Sequence, residues 1–240
     1  MIEDILKKRE NFTFFRKDKI PEESMIREIL HKAHNLTPHK NNFWHYDIYV
    51  FGPEQVETKR KLAMSTVCND HKNHYRKENL TDKDWKELEK NYQYWLDLHD
   101  GDKSKQYVQD NKWFFNEQVT APYLIAYYPA KQKLRESQKN TDYFKGGRMQ
   151  EVFNDTAKVY NDEFNHQAGM HALVTSMLAL EKDIDVSFCR CYFYHEKIHT
   201  DVLLKKGLPF LLGLGYRDRT KKNYKSRVTK PKFDEVVKWV

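Results

Sequence analysis

An α+β fold with one long buried helix follows from three features of the sequence. Short apolar runs bounded by glycine, proline or charge occur at Tyr46–Phe51, Ala121–Tyr128, Val186–Cys189 and Phe210–Leu214, the pattern of strands. Helical periodicity fills the intervals, most clearly over residues 150–182. No internal repeat and no Gly/Ser linker divides the order, so residues 1–240 read as one domain with a helical, aromatic-rich insertion at about 54–112.

The elements can be taken in order. Residues 2–9 place Ile2, Ile5 and Leu6 on one side of a short helix, and Phe12 to Phe15 form an extended aromatic run. Ile20-Pro21-Glu22-Glu23 opens a helix, with proline at the first helical position and acids at the positive end of the dipole. Met25, Ile26, Ile29, Leu30 and Ala33 point inward, and the helix stops near Thr37-Pro38. Gly52-Pro53 closes the first strand. In the insertion, Thr81 with Asp84 makes a capping box, Trp85, Leu88, Tyr92 and Trp95 follow at helical spacing, and Gly101 marks a stop. The strand after Ala121-Pro122 is apolar nearly throughout, which suits a central position. A polar loop with Gly146-Gly147 leads to the long helix. From Phe164 to Leu180 that helix is apolar on nearly all sides, so it belongs at the centre of the fold or of a dimer.

Composition narrows the function classes. Hydrophobic residues make up 39% and charged residues 32%, yet aromatics reach 14%, so the chain folds around a core completed by large rings or by a second subunit. The net charge of +7 invites a nucleic-acid reading, but acids and bases are mixed except in the tail after Arg217. That distribution argues against nucleic acid as the main ligand. Cys68, Cys189 and Cys191 form no disulfide framework, the start Met1-Ile2-Glu3-Asp4 carries no signal-peptide pattern, and no apolar run reaches membrane-spanning length. A cytoplasmic protein without a membrane partner is expected.

Chemistry-bearing motifs are few. Neither glycine-rich nucleotide loop occurs, and Gly213-Leu214-Gly215 alone is a strand-end turn. Cys189-Arg190-Cys191 with His195 lacks a fourth zinc ligand, so no metal is expected. His31 with His34, and His71 with His74, read as solvated surface pairs, and Cys189 reads as an inert core thiol. No G-x-S-x-G elbow is present. No side chain is therefore assigned as a catalytic nucleophile. What remains is a set of cations and amides in separate segments: Arg9 and Asn11, Asn42, then Lys225 and Arg227. Guanidinium forks bind phosphate oxygens and carboxamides bind ring edges, so the set suits a ligand with a phosphate at one end and a polar conjugated ring at the other.

These segments, in this order, resemble the FMN-dependent nitroreductase family. The resemblance rests on Arg9-Glu10-Asn11-Phe12-Thr13-Phe14-Phe15 ahead of Ile20-Pro21, then Pro38-His39-Lys40-Asn41-Asn42-Phe43-Trp44 ahead of a strand. Ala121-Pro122, the long helix, Gly213-Leu214-Gly215-Tyr216 and Lys225-Ser226-Arg227 complete it, so it spans nearly the whole chain outside the insertion. It implies a nitroreductase-like fold, with a central mixed or antiparallel sheet flanked by helices, and an intertwined homodimer with FMN at the subunit interface. By position, Arg9 and Asn11 correspond to residues that hold the FMN phosphate and ribityl chain, and Lys225 and Arg227 to the phosphate clamp. Pro38, His39 and Asn42 correspond to the loop that reaches the flavin from the partner subunit, and Asn116 to an asparagine at the isoalloxazine edge. Three positions depart from the family pattern: Glu10 where a basic or polar residue is usual, Thr13 where a cation often faces the flavin, and His39 in place of serine. Thr13 keeps a hydroxyl donor but not the charge that would stabilise anionic reduced flavin.

The expected activity is that of an FMN oxidoreductase, with NAD(P)H as hydride donor and a flat small-molecule acceptor (a nitroaromatic, quinone or enone) in ping-pong order. The flavin does the chemistry, and the insertion with Trp85, Tyr92 and Trp95 covers the slot. Alternatives are reductive dehalogenation on the same scaffold, a flavin-binding protein with little turnover, and a basic nucleic-acid-binding protein.

Overall fold

The computed structural model describes residues 2–9, 14–39, 44–56, 58–59, 62, 67–68, 114–115, 121–130, 160–190, 209–220 and 231–237. In chain order these give α1 (Ile2–Lys7), α2 (Glu23–Leu36), β1 (Tyr46–Phe51), β2 (Val67–Cys68), β3 (Phe114–Phe115), β4 (Tyr123–Pro129), α3 (Tyr160–Glu181), β5 (Asp185–Cys189), β6 (Phe210–Gly215) and α4 (Phe233–Val236). The capping box at Thr81, the Trp85/Tyr92/Trp95 stripe, Gly101 and Gly146-Gly147 lie outside the described residues.

Among the described residues β1, β4, β6 and β5 form a sheet in that order, and every neighbouring pair is antiparallel. The mixed alternative is therefore not what these strands adopt. The register runs Tyr46↔Pro129 to Phe51↔Leu124 between β1 and β4, Tyr123↔Leu214 to Tyr127↔Phe210 between β4 and β6, and Asp185↔Gly215 to Cys189↔Leu211 between β5 and β6. Tyr123 through Tyr128 are all buried, as the unbroken apolar run of an internal strand requires. Period-two alternation then splits the sheet into two faces. Tyr46, Ile125, Tyr127, Val186, Leu212 and Leu214 join the core under the helices, while Phe51, Leu124, Ala126, Tyr128, Cys189 and Leu211 form a second cluster behind it.

Helix α2 buries Ile26, Ile29 and Ala33 against α3. It begins at Glu23 with Glu22 as its N-cap, so Pro21 lies upstream of the first turn rather than inside it. It ends where the Thr37 backbone N–H and hydroxyl both donate to the Ala33 carbonyl, at 3.0 and 2.7 Å. A second difference concerns Val67–Cys68. This pair falls in a stretch expected to be helical, yet it pairs antiparallel with Phe114–Phe115.

Helix α3 buries Phe164, Ala168, Ala172, Ala179 and Leu180, but its opposite side is open in the single chain. Met170 is 39% and Leu173 46% exposed, and a Cβ built on Gly169 would meet nothing within 4 Å. Sequence reading merged the two faces because both are apolar. The helix ends in a Schellman motif: Ile184 N–H donates to the Ala179 carbonyl (2.9 Å) and Asp183 N–H to that of Leu180 (3.1 Å). Asp183 takes the left-handed conformation this motif needs, at φ 56°. Its carboxylate accepts the Lys8 ammonium at 2.9 Å, which ties α1 to the start of β5.

Candidate functional site

Of the predicted site residues Arg9, Pro38 and His39 are described, and the segments that carry them run to opposite ends of the sheet. Pro38 and His39 follow α2 and sit beside Tyr46, which faces Pro129 at the far end of β4. Arg9 follows α1, is exposed, and makes no ion pair among the described residues. Its segment leads to Phe15, which forms an antiparallel bridge with Arg217 just beyond β6. Asn11, Thr13, Asn42, Asn116, Lys225 and Arg227 lie outside the described residues.

At the first end His39 is held from several sides. A carbonyl can only accept, so His39 Nδ1–H donates to the Thr37 oxygen at 3.0 Å, and Nε2 of the neutral ring accepts the Tyr46 hydroxyl at 2.9 Å. Its ring stacks on Trp44 with centroids 4.0 Å apart and 18° between planes; the His34 ring also stacks on Trp44, at 4.5 Å. His34 is thus exposed but not merely solvated. Burial holds His39 below the ordinary imidazole range, against the pull of the Thr37 carbonyl and with His34 and His45 adding to the effect. The His45 N–H donates to Gln167 Oε1 at 3.1 Å, which fixes the exit of this loop on α3.

Beneath the loop lies a polar cluster that sequence reading missed. His171 of α3 is fully buried, with Nδ1 3.1 Å from the Tyr127 hydroxyl and 3.2 Å from that of Thr175. Thr175 donates to the His171 carbonyl at 2.8 Å, so its oxygen acts as an acceptor. With Tyr127 donating to Nδ1, the ring proton sits on Nε2, which has no hydrogen-bond partner among the described residues. The rings of Trp44 and Tyr46, each at 67° to the imidazole, offer π faces in place of a lone pair. Burial, with His39 and His34 adding repulsion, pushes His171 down to about 4. The available sequence signal was phase: His171 shares the helical face of Phe164, Ala168, Ala172, Thr175 and Ala179.

The other end is an edge where four segments meet. Arg16 N–H donates to the Tyr216 carbonyl (2.8 Å) and Asp218 N–H to that of Phe14 (3.0 Å), on either side of the Phe15–Arg217 bridge. Arg217 N–H donates to Asp185 Oδ2 at 2.8 Å, joining the same point to β5. Arg16 is held by Asp18, with Nε at 3.0 Å and Nη2 at 2.6 Å from the two carboxylate oxygens. Lys19 lies 4.3 Å from the centre of the Tyr216 ring. The Pro122 ring closes over Gly215, where an added Cβ would lie 2.6 Å from Pro122 Cδ and 2.9 Å from Phe15 Cδ1. Behind this turn the buried Lys59 ammonium donates to the carbonyls of Ala121 and Pro122. Sequence reading gave neither Lys59 nor Gly215 a role in the site.

The structure thus brings together the roots of the Arg9–Thr13 and Lys225/Arg227 segments, and it keeps Pro38 and His39 away from them. At a strand rise of about 3.3 Å per residue, the length of β4 separates the two ends by about 20 Å. Among the described residues no group of three His, Cys, Asp or Glu side chains is arranged to hold a metal ion, and no helix is long and apolar enough to cross a membrane.

No protein-family model matches the chain, and no curated protein matches it by sequence. Solved structures do match it along its whole length. It is similar to a candidate NAD(P)H:FMN oxidoreductase of Staphylococcus epidermidis, with a TM-score of 0.62, 14% identity, and 100% of this chain and 96% of that chain covered. The nitroreductase family protein of Streptococcus pneumoniae matches with a TM-score of 0.59 and 16% identity, covering 100% of each chain. A variant of the FMN and NADPH-dependent nitroreductase NfnB from a Sphigopyxis strain matches at 0.52 and 16%, with 100% of this chain and 98% of that one covered. Identities this low speak for architecture alone, and on that architecture the sequence resemblance and the structure agree: the chain has the nitroreductase-like fold.

Proposed function

We propose that this protein is a cytoplasmic FMN-dependent oxidoreductase that works as a homodimer, with NAD(P)H as hydride donor and a flat nitroaromatic, quinone or enone as acceptor, in ping-pong order. The observation that carries the reading is the Phe15–Arg217 bridge. It starts two cation- and amide-bearing segments from one point on the sheet, and their donor chemistry fits a phosphate ester.

Arg9, Asn11 and Thr13 would hold the phosphate and ribityl chain together with Lys225 and Arg227. Pro38, Asn42 and Asn116 would line the ring. His39 already uses both nitrogens within the chain, so its contribution is a packing surface stiffened by Trp44. When bound, FMN supplies hydride transfer at its N5; the protein supplies anchoring, orientation and exclusion of water. The insertion at about 54–112 would cover the slot and select the acceptor.

Two copies are part of the reading for a geometric reason. The loop around His39 and the Phe15–Arg217 edge stand at opposite ends of one chain's sheet, an arrangement that suits a site built from the loop of one copy and the edge of another. The open apolar face of α3, with Met170 and Leu173, gives the second copy a surface to cover.

Purified protein tests this directly. It should be yellow, or become so with FMN, and it should bleach when NAD(P)H is added without oxygen. Colourless protein that FMN cannot reconstitute would overturn the reading; yellow protein that NAD(P)H never bleaches would make it a passive flavin binder. Tight, salt-sensitive nucleic-acid binding without flavin would favour the basic-tail alternative.

A further inference from the structure

Lys59 is a buried lysine to which the reading above gives no part. Its ammonium lies 3.0 Å from the Ala121 carbonyl oxygen and 2.9 Å from that of Pro122, two successive peptide groups just ahead of β4. Both bonds are charge-assisted, and without the cation two inward-facing carbonyls would lose their partner. Burial pushes Lys59 down to about 8, with Glu54 opposing the shift, so it is a charged donor at neutral pH.

The turn that Lys59 grips is packed into the edge already described. The Pro122 ring sits so close to Gly215 that there is no room for a Cβ, and the Phe15 ring fills the same gap. Phe15 in turn bridges Arg217. Each contact is between backbone or a stiff ring, so a shift of the turn passes to the bridge with little slack.

We propose that Lys59 is a positioning residue for the phosphate end of the site. It acts through Pro122 and Gly215 on the Phe15–Arg217 bridge, from which the Arg9–Thr13 segment and the Lys225/Arg227 tail lead away. The assignment rests on the FMN reading and makes a sharper claim within it: Lys59 affects recognition of the phosphate group and not of the ring.

FMN and riboflavin differ only in that phosphate, so the ratio of their dissociation constants isolates it. Wild-type protein should prefer FMN by at least about tenfold. In Lys59→Met the preference should shrink by at least about threefold while riboflavin affinity stays within about twofold, and Lys59→Arg should restore part of it. An unchanged ratio, or a parallel loss of both ligands, overturns the assignment, because a purely structural lysine would weaken both alike. If Lys59→Met does not fold, Pro122→Ala carries the test. It keeps the lysine and its two acceptors and removes the ring from Gly215 and Phe15, and an unchanged ratio there is equally decisive. Failure of the wild type to bind FMN would overturn the FMN reading itself, and the Lys59 assignment with it, before any variant is compared.

Discussion

The Tyr127 hydroxyl lies 3.1 Å from Nδ1 of His171, joining the central strand of the sheet to the middle of the long helix inside a fully buried core. The rings of Trp44 and Tyr46 pack edge-on around the same imidazole. Tyr127→Phe keeps the ring and removes the hydroxyl. Thr175 already donates to the His171 carbonyl, so its oxygen, 3.2 Å away, can serve Nδ1 only if the ring proton moves there from Nε2; with that shift the loss should be modest, about 1 kcal/mol. Urea denaturation of the two proteins measures it; a loss above about 3 kcal/mol would mean that the proton stays on Nε2 and Nδ1 is left without a partner.

The same histidine makes stability depend on acid. Unfolded, His171 takes up a proton near the ordinary imidazole value of 6.5; folded, it does so only at about 4. Between these values unfolding binds a proton, so stability is full above about pH 6.5 and falls as pH drops toward 4. The span corresponds to a term on the order of 3 kcal/mol, and burial moves His39 in the same direction. His171→Leu should be less stable at neutral pH but lose less on acidification. Denaturation midpoints at a series of pH values would show the flatter profile; parallel profiles would exclude His171 as the source.

Asp183 pays a conformational cost that glycine would not. It holds a left-handed backbone at φ 56°, and its ion pair with Lys8 is largely exposed and so worth little. Asp183→Gly should raise the thermal midpoint, by up to about 1 kcal/mol in stability. Asp183→Val should lower it by about 1–2 kcal/mol, since a branched Cβ fits this conformation poorly. Calorimetry of both variants reads the sign.

Leu173→Glu tests the open face of α3. The side chain is 46% exposed in the single chain, so the substitution should leave the fold intact, as circular dichroism would report. If this face covers the second copy, as proposed, sedimentation should shift from dimer toward monomer, with loss of bound FMN. An unchanged dimer would place the interface elsewhere.

The proposed sharing of each site between two copies predicts complementation. Arg227→Ala and Asn42→Ala should each lower FMN occupancy as pure dimers. Co-refolded, their mixed dimers contain one site with both residues intact, so about half of the occupancy should return in those dimers. No recovery would show that both residues serve the same chain's site.

Strands were the most legible part of this fold. Tyr46–Phe51 occupies the range its sequence pattern indicates, and β4 and β6 declare themselves by apolar runs that leave neither face for solvent. Pro21 was harder to place, because proline is equally at home before the first helical turn and within it. Two-residue strands such as Val67–Cys68 carry no periodicity to detect. The cluster around His171 depends on which residues the sheet register and the helix phase bring together, and no local window contains that information. The same applies to Lys59, whose acceptors are main-chain carbonyls more than sixty residues away in sequence. Pro38 and His39 lie in a loop after α2, and only the sheet shows that they stand at the opposite end from the Phe15–Arg217 edge.

The Phe15–Arg217 bridge also sets the order in which the protein can be made. Its two halves are about two hundred residues apart, so this contact closes a long loop and carries a correspondingly large entropic cost. A nascent chain can assemble α2 and pair β1 with β4 while still on the ribosome, but the Phe14–Arg16 segment must wait until the tail emerges. The edge that would receive a cofactor is thus completed only once β6 and Arg217 have been made, so a chain truncated before residue 217 would lack it from the start.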